Sequence, residues 1–343
     1  VDLSYAHELF QPLSLEQSLH LLDSLTWFPT SGADRYQRVA EYVRTRASGT
    51  VEPSPDIVRG VMDRITSPVA PAVADDRTGD GRWADIPHAK HLYQLKYDLK
   101  TLLLPERWFT FMNMGFQSGG ATEPDLRPFL PAGQAVWQYS ANLYDLVGAQ
   151  IPLTGRDVLE VGSGRGGGAA FLYRRYQPRT YCAVEQSANN VAFSRAVHPA
   201  AVSFVQGDAE RLPCADNAFD AVLNVESAHC YPHPAAFFRE VRRVLRPGGH
   251  LLFADEWWTT TTAELLRDIR SAGLKIQLHR DITDGIIEAL RRLPAITEPL
   301  IGRQEGQQRR VYQRFFGERV LKDSLHSYTS GRFGFHLVAA TPG

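Results

Sequence analysis

Residues 157–172 read DVLEVGSGRGGGAAFL, and this stretch decides the fold. Val158, Leu159 and Val161 form a short apolar run of the kind that builds a buried strand. A glycine-rich turn follows and feeds a helix. Glycine tolerates positive φ, and its missing Cβ lets backbone N–H groups come close to a ligand. Gly162, Gly164 and Gly167 also satisfy GxGxxG, so the turn taken alone is compatible with a dinucleotide site.

Outward from this turn, short β-branched runs alternate with helical segments. DVLEV, TYCAVE, SFVQGD, FDAVLNV and HLLFADE are the expected strands, with helices over 167–176, 188–197, 235–245 and 262–272. That alternation predicts an α/β fold, a Rossmann-like parallel sheet covered by helices on both faces. A helix rich in Arg and Gln is expected near 305–327. The strand after it, 333–340, is expected to join the sheet edge as an antiparallel hairpin partner, which a nucleotide dehydrogenase would not need.

Upstream, the apolar spacing of Leu15, Leu19, Leu22 and Leu25 predicts a short helix. Residues 67–85, rich in Pro, Asp and Gly, read as a linker or loop. A helix over 91–104 ends at Pro105. The aromatic segment RWFTFMNMGF (107–116) reads first as a packed lid or subdomain core, with ligand contact as the alternative. A loop over 117–133 leads to a helix over 135–149. The expected division is a helical N-terminal lid or subdomain over 1–133 and a cofactor-binding core over 134–343. No internal repeat is present.

The chain has 343 residues, 43% hydrophobic and 22% charged, with a formal net charge of −1. This is the composition of a globular enzyme and offers no global field for nucleic acid or an anionic membrane. Cys182, Cys214 and Cys230 are sparse and form no CxxC pair. They argue against a disulfide framework or structural zinc and fit a reducing, cytoplasmic setting. No apolar run is long enough to span a membrane.

Three acidic residues at strand ends separate the readings of the glycine turn. Glu160 precedes the first glycine by two, where a carboxylate suits the cationic amino group of a bound amino acid; NAD offers no such group. Glu185 ends the second strand, placed to accept both hydroxyls of a ribose, a feature that serves NAD equally well. Asp208, in Gly207-Asp208-Ala209, is placed to accept from an adenine amino group. With GDAERLP and VLRPGGHLLFAD downstream, these residues resemble the class I S-adenosylmethionine-dependent methyltransferases over roughly 156–272. The resemblance implies S-adenosylmethionine as cofactor and S-adenosylhomocysteine as product. The implied binding residues are Glu160, Gly162, Ser163, Gly164, Glu185, Gln186, Asp208, Ala209 and Asn224.

Methyl transfer requires alignment of the acceptor and, for a hydroxyl, removal of its proton. The fourth strand ends in LNVESAHCYPHP (223–234), where His229 is the natural base because its pKa lies near working pH. Asp255 and Glu256 end the neighbouring fifth strand, where a carboxylate would fix the His229 tautomer. ESAH followed by AD resembles small-molecule O-methyltransferases acting on sugars and polyketides. That resemblance puts the base on His229 and its orienting carboxylate on Asp255, with Glu226 and Glu256 as alternatives for the carboxylate. His229 and His233 also form an H-x3-H pair. A loop containing Pro232 and Pro234 does not give regular i,i+4 geometry, so no metal is expected. Cys230 is expected to line the pocket.

MNMGF (112–116), WQYSANLYDL (137–146), the glycine turn and NVESAHCYPH together resemble mycobacterial phthiotriolone-type lipid methyltransferases. They also resemble O-methyltransferase domains of modular polyketide synthases. By that likeness Tyr139 would reach the cofactor from above, beneath a helical cap. The start at Val1, the long lead and the linker-like LSLEQSLHLLDSL (13–25) point to a domain of a larger synthase. Its acceptor would then be a hydroxyl or enol tethered to a carrier protein; for a free-standing enzyme it would be a polyketide, sugar or lipid hydroxyl. The rivals are C-methylation of an activated carbon and, in another class, a nucleotide-cofactor oxidoreductase. Nucleic-acid methylation is disfavoured because Asn224 is followed by Val-Glu-Ser, not Pro-Pro-Tyr.

Overall fold

Strand β1 (Asp157–Val161) is buried along its whole length, as its apolar run requires, and it is an interior strand of the sheet. The computed structural model describes residues 106–119, 124–131 and 134–343, together with Tyr97, Lys100, Thr101 and Leu104. The helix expected over 15–25, the linker over 67–85 and most of the helix over 91–104 lie outside the described residues. Two compact units are distinguished. One carries the sheet and comprises Pro105–His229 and His233–Gly343; the other includes Leu104 and Cys230–Pro232. In the latter, the Tyr97 hydroxyl lies 3.7 Å from the Cys230 thiol.

The remaining strands are β2 (Thr180–Glu185), β3 (Val202–Gln206), β4 (Phe219–Val225), β5 (Leu245–Trp258), β6 (Leu274–Asp281) and β7 (Phe333–Pro342). Their order is β3-β2-β1-β4-β5-β7-β6. Strands β1 to β5 pair in parallel, and β7 is antiparallel to both of its neighbours. Chain direction reverses its march across the sheet between β1 and β4, so a crevice opens there at the carboxyl ends of the strands. Helices cover the faces: α1 (Gln138–Gly148), α2 (Gly167–Tyr176), α3 (Ala188–Val197), α4 (Pro234–Val244) and α5 (Thr262–Ser271). Beyond β6 come α6 (Thr283–Arg292), α7 (Pro294–Gly302), α8 (Gly306–Phe316) and α9 (Glu318–Thr329).

Three details differ from the sequence expectations. Strand β7 lies inside the sheet rather than at its edge, and its first eight residues are buried. The edge belongs to β6, whose LKIQLHRD alternates and is mostly exposed, as suits an unpaired strand side. The single helix expected over 305–327 is broken at Gly317, whose extended backbone (φ −72, ψ 161) ends α8 and starts α9.

The amino-terminal ends of the strands are tied together, away from the crevice. The Asp157 carboxylate accepts from Arg179, from the Thr180 hydroxyl at 2.8 Å and from Arg246 at 2.8 Å. Hydrogen bonding from Arg179, helped by Arg246 and Thr180, holds this carboxyl well below its usual range. One acidic residue thereby joins β1, β2 and β5 and leaves the opposite ends of those strands to the site.

Candidate active site

The glycine turn has the backbone its sequence requires. Gly162, Gly164 and Gly166 take φ of 76°, 54° and 75°, values that residues with a Cβ rarely adopt. Gly167 N–H donates to the Thr110 carbonyl at 3.1 Å, and a Cβ on Gly167 would stand 2.6 Å from that oxygen. The upstream segment therefore crosses directly over the turn. Met112 lies there too, its sulfur 3.3 Å from where a Cβ on Gly164 would be.

Glu160 sits beneath the turn, fully buried, with its two oxygens accepting from Tyr144 (2.9 Å) and Tyr181 (2.8 Å). Burial pushes its carboxyl up to about 7, against the pull of the two hydroxyls. Its charge state is thus poised near neutrality. Glu185, at the end of β2, accepts from Gly164 N–H and Ser187 N–H, both at 2.9 Å. Ser187 caps α3 by accepting from Asn190 N–H at 3.1 Å. The second acidic strand end is therefore built into both the glycine turn and the next helix.

The other expected cofactor residues are placed as follows. Asp208 begins a turn in which its side chain accepts from Glu210 N–H at 2.9 Å, with buried Ala209 between them. Gln186 is half-buried beside Glu185, its carbonyl accepting from Gln206 at 3.3 Å. Asn224 is fully buried and donates to the Val161 carbonyl at 2.9 Å, bracing β4 against the start of the turn. Tyr139 stands on the first turn of α1, and its hydroxyl interacts with Arg292 of α6. The Ser163 hydroxyl is buried and has no hydrogen-bond partner among the described residues, and neither does the Asn113 carbonyl oxygen. A turn with positive-φ glycines, a carboxylate at its rim and a buried hydroxyl awaiting a partner fits a polar nucleoside ligand.

Asp255 lies within β5, level with the end of β4, and has no exposed side-chain surface; His229, just beyond β4, keeps 14% of its own. His229 Nδ1 lies 2.7 Å from Asp255 Oδ1. The same carboxylate accepts from the backbone N–H groups of Ser227, His229 and Glu256 at 2.8–3.0 Å. A carboxylate only accepts, so Nδ1 carries the hydrogen and the lone pair is on Nε2. Glu256 Oε1 is 3.7 Å from Nε2, while its Oε2 accepts from the buried Tyr328 hydroxyl at 2.6 Å. Of the carboxylates proposed from sequence to orient the imidazole, Asp255 holds that position. Glu226 instead accepts from the backbone N–H of Met114 at 2.8 Å. Burial drives the Glu226 carboxyl well above its usual range, with the Glu256 charge adding to the rise.

Several contributors carry no sequence signal of their own. Tyr144 and Tyr181 bond Glu160 from α1 and β2, and Tyr328 reaches Glu256 from a helix 72 residues further along the chain. Arg165, inside the glycine turn, is fully buried with its guanidinium 3.6 Å over the Phe193 ring and 5.0 Å from that of Phe109. The aromatic density of 107–116 serves packing: Trp108 stacks on Trp137 at 5.7 Å and Phe111 meets Tyr144 edge-on at 5.9 Å. Among the described residues no group of His, Cys, Asp and Glu is arranged to hold a metal, and no helix is long and apolar enough to cross a membrane.

The family described as Methyltransferase domain matches residues 159–253. The chain is 36% identical over 220 residues to the Fatty-acid O-methyltransferase of Mycolicibacterium smegmatis, a match spanning 64% of this chain and 79% of that protein. It is 34% identical over 225 residues to the Phthiotriol/phenolphthiotriol dimycocerosates methyltransferase of Mycobacterium tuberculosis, spanning 60% of this chain and 80% of the relative. Among solved structures, the fold matches geranyl diphosphate C-methyltransferase from Streptomyces coelicolor A3(2) with a TM-score of 0.53 and 18% identity, over 73% of this chain and 98% of the other. The cyclase SpnF matches with a TM-score of 0.55 and 24% identity, over 73% and 95%. Long matches to named methyltransferases, on a sheet of this order, establish that the chain belongs to the class I S-adenosylmethionine-dependent methyltransferases.

Proposed function

We propose that the protein is an O-methyltransferase acting on a hydroxyl or enol of a polyketide-like or lipid-like acceptor, with His229 as general base and Asp255 as its orienting partner. The observation that carries this reading is the 2.7 Å contact between His229 Nδ1 and a fully buried Asp255 at the crevice end of the sheet. S-adenosylmethionine supplies an activated methyl carbon on a sulfonium. Glu185, at the rim of the glycine turn, would hold the ribose of the nucleoside, and Ser163, Gln186, Asp208, Ala209, Asn224 and Tyr139 would complete the cofactor site. His229 Nε2 receives the acceptor proton. Asp255 keeps the ring in the tautomer that makes Nε2 basic and stabilises the imidazolium formed. Glu256, 3.7 Å from Nε2, adds a second favourable charge and is itself held by Tyr328.

The names of the relatives support an acyl-chain or polyketide acceptor, and a base suited to hydroxyl protons supports oxygen as the receiving atom. The test is turnover with hydroxylated fatty-acid and polyketide acceptors, offered free and as thioesters of a carrier protein. Methylation of either form supports the reading, and the preferred form distinguishes a free-standing enzyme from a synthase domain. Failure of every hydroxyl or enol acceptor, alongside methylation of an activated carbon, would overturn it.

Glu160 gives this reading a pH signature. Its carboxyl titrates near 7 in the ligand-free protein, so a cation bound nearby draws out its proton. Cofactor affinity is expected to rise with pH up to about 7 and then level off, with binding at about pH 6.5 releasing a proton. Calorimetric titration with S-adenosylhomocysteine in two buffers of different ionisation enthalpy reads this directly. Different heats in the wild type and equal heats in Glu160→Gln are expected; equal heats in both would remove Glu160 from the linkage. In the ligand-free protein the sign reverses. A carboxyl raised on folding takes stability away as pH climbs from its unfolded value to about 7.

A further inference from the structure

Glu226 occupies a backbone conformation that needs an explanation. Its φ is +51°, one of three non-glycine residues in the left-handed region among those described. Glycine would sit there without strain, so the side chain at this point is present at a local backbone cost. What it does is visible. The carboxylate accepts from the backbone N–H of Met114, in a segment 112 residues earlier in the chain.

That segment, residues 110–117, runs as a strap across the carboxyl ends of the strands. Its Thr110 carbonyl receives Gly167 N–H at 3.1 Å, and Asn113 donates to the Ser140 carbonyl at 3.2 Å. Phe116 N–H donates to the Tyr139 carbonyl at 2.8 Å and Gln117 N–H to the Gly285 carbonyl at 2.9 Å. Gly115, at φ +80°, packs where a Cβ would stand 2.8 Å from that of Tyr139. These attachments hold the strap to the glycine turn, α1 and α6. Glu226 is the attachment on the β4 side, three residues before His229.

We propose that Glu226 is a positioning residue that latches the 110–117 strap over the reaction site, and that it is not the base. The role rests on the acid–base reading of His229 given above. It requires an acceptor oxygen at this position and no negative charge. Burial and the neighbouring Glu256 already favour a neutral Glu226 carboxyl, which glutamine imitates.

The test compares Glu226→Ala, Glu226→Gly and Glu226→Gln by amide hydrogen exchange at Met114 and by steady-state kinetics. Glycine relieves the backbone strain, so E226G is expected to melt no lower than the wild type, which separates latch loss from misfolding. In E226A and E226G, Met114 exchange is expected to accelerate about tenfold and the acceptor KM to rise about tenfold, with kcat falling less. E226Q is expected to restore both, with the pH–rate profile of the wild type. Unchanged Met114 exchange in E226A and E226G would overturn the latch. So would an E226Q variant with protected Met114 but the kcat loss of a missing base. Failure of the His229 reading shows elsewhere, as full turnover in His229→Ala, and leaves the exchange result intact.

Discussion

His229→Ala is expected to lower kcat by about 10²–10⁴, the contribution of a positioned general base, while the affinity for S-adenosylhomocysteine stays within about twofold. The split follows from geometry. His229 hangs from the end of β4 on Asp255, whereas the glycine turn and Glu185 belong to β1 and β2. Asp255→Asn is expected to fall in the same range by a different route. The asparagine amide presents N–H groups to Nδ1, which then has to accept, and the hydrogen moves to Nε2 where the base is needed. Single-turnover rates with calorimetric cofactor affinity measure both effects. Undiminished turnover in His229→Ala would sink the base assignment.

Glu185→Ala carries the second large effect, on binding. Its carboxylate accepts from Gly164 N–H and Ser187 N–H, so removing it strips partners from the turn as well as the acceptor proposed for the ribose. Hydrogen bonds to a charged group contribute about 1.5–3 kcal/mol each, so cofactor affinity is expected to fall about 30-fold or more. Calorimetric titration with S-adenosylhomocysteine checks it. Unchanged affinity would take Glu185 out of the ribose role and leave it as a brace for the turn.

Much of the fold was legible because buried parallel strands read as unbroken apolar runs. DVLEV, TYCAVE and FDAVLNV are strands at the expected boundaries, and the helices over 167–176 and 188–197 match as well. What escaped had weaker physics behind it. Strand β6 is exposed along most of its length and carries charged side chains, so no apolar run marks it. Helix α7 contains Pro299, which argues against a helix in sequence. The position of β7 between β5 and β6 depends on pairing across the chain, which local patterning does not encode.

The site divides the same way. Glu160, Glu185, His229 and Asp255 stand out because they occur together and in order near the ends of predictable strands; taken singly, each reads as well as an ordinary solvated or structural residue. Their partners are not predictable by such rules. Tyr144, Tyr181 and Tyr328 look like ordinary core aromatics until the fold brings their hydroxyls to carboxylates. Met114 contributes only a backbone N–H, which no side-chain pattern announces. The 107–116 segment read as packing, and its rings do pack; its backbone is what crosses the glycine turn.

In the proposed reaction the methyl group goes to oxygen, with His229 taking the proton. The direct measurement is incubation with S-adenosylmethionine labelled with carbon-13 in the methyl group and a hydroxylated acyl or polyketide acceptor, followed by NMR of the product. The label is expected in a methoxy group, formed by the wild type and nearly lost in His229→Ala. Label in a carbon-bound methyl group, or methoxy product formed equally well by His229→Ala, would contradict it.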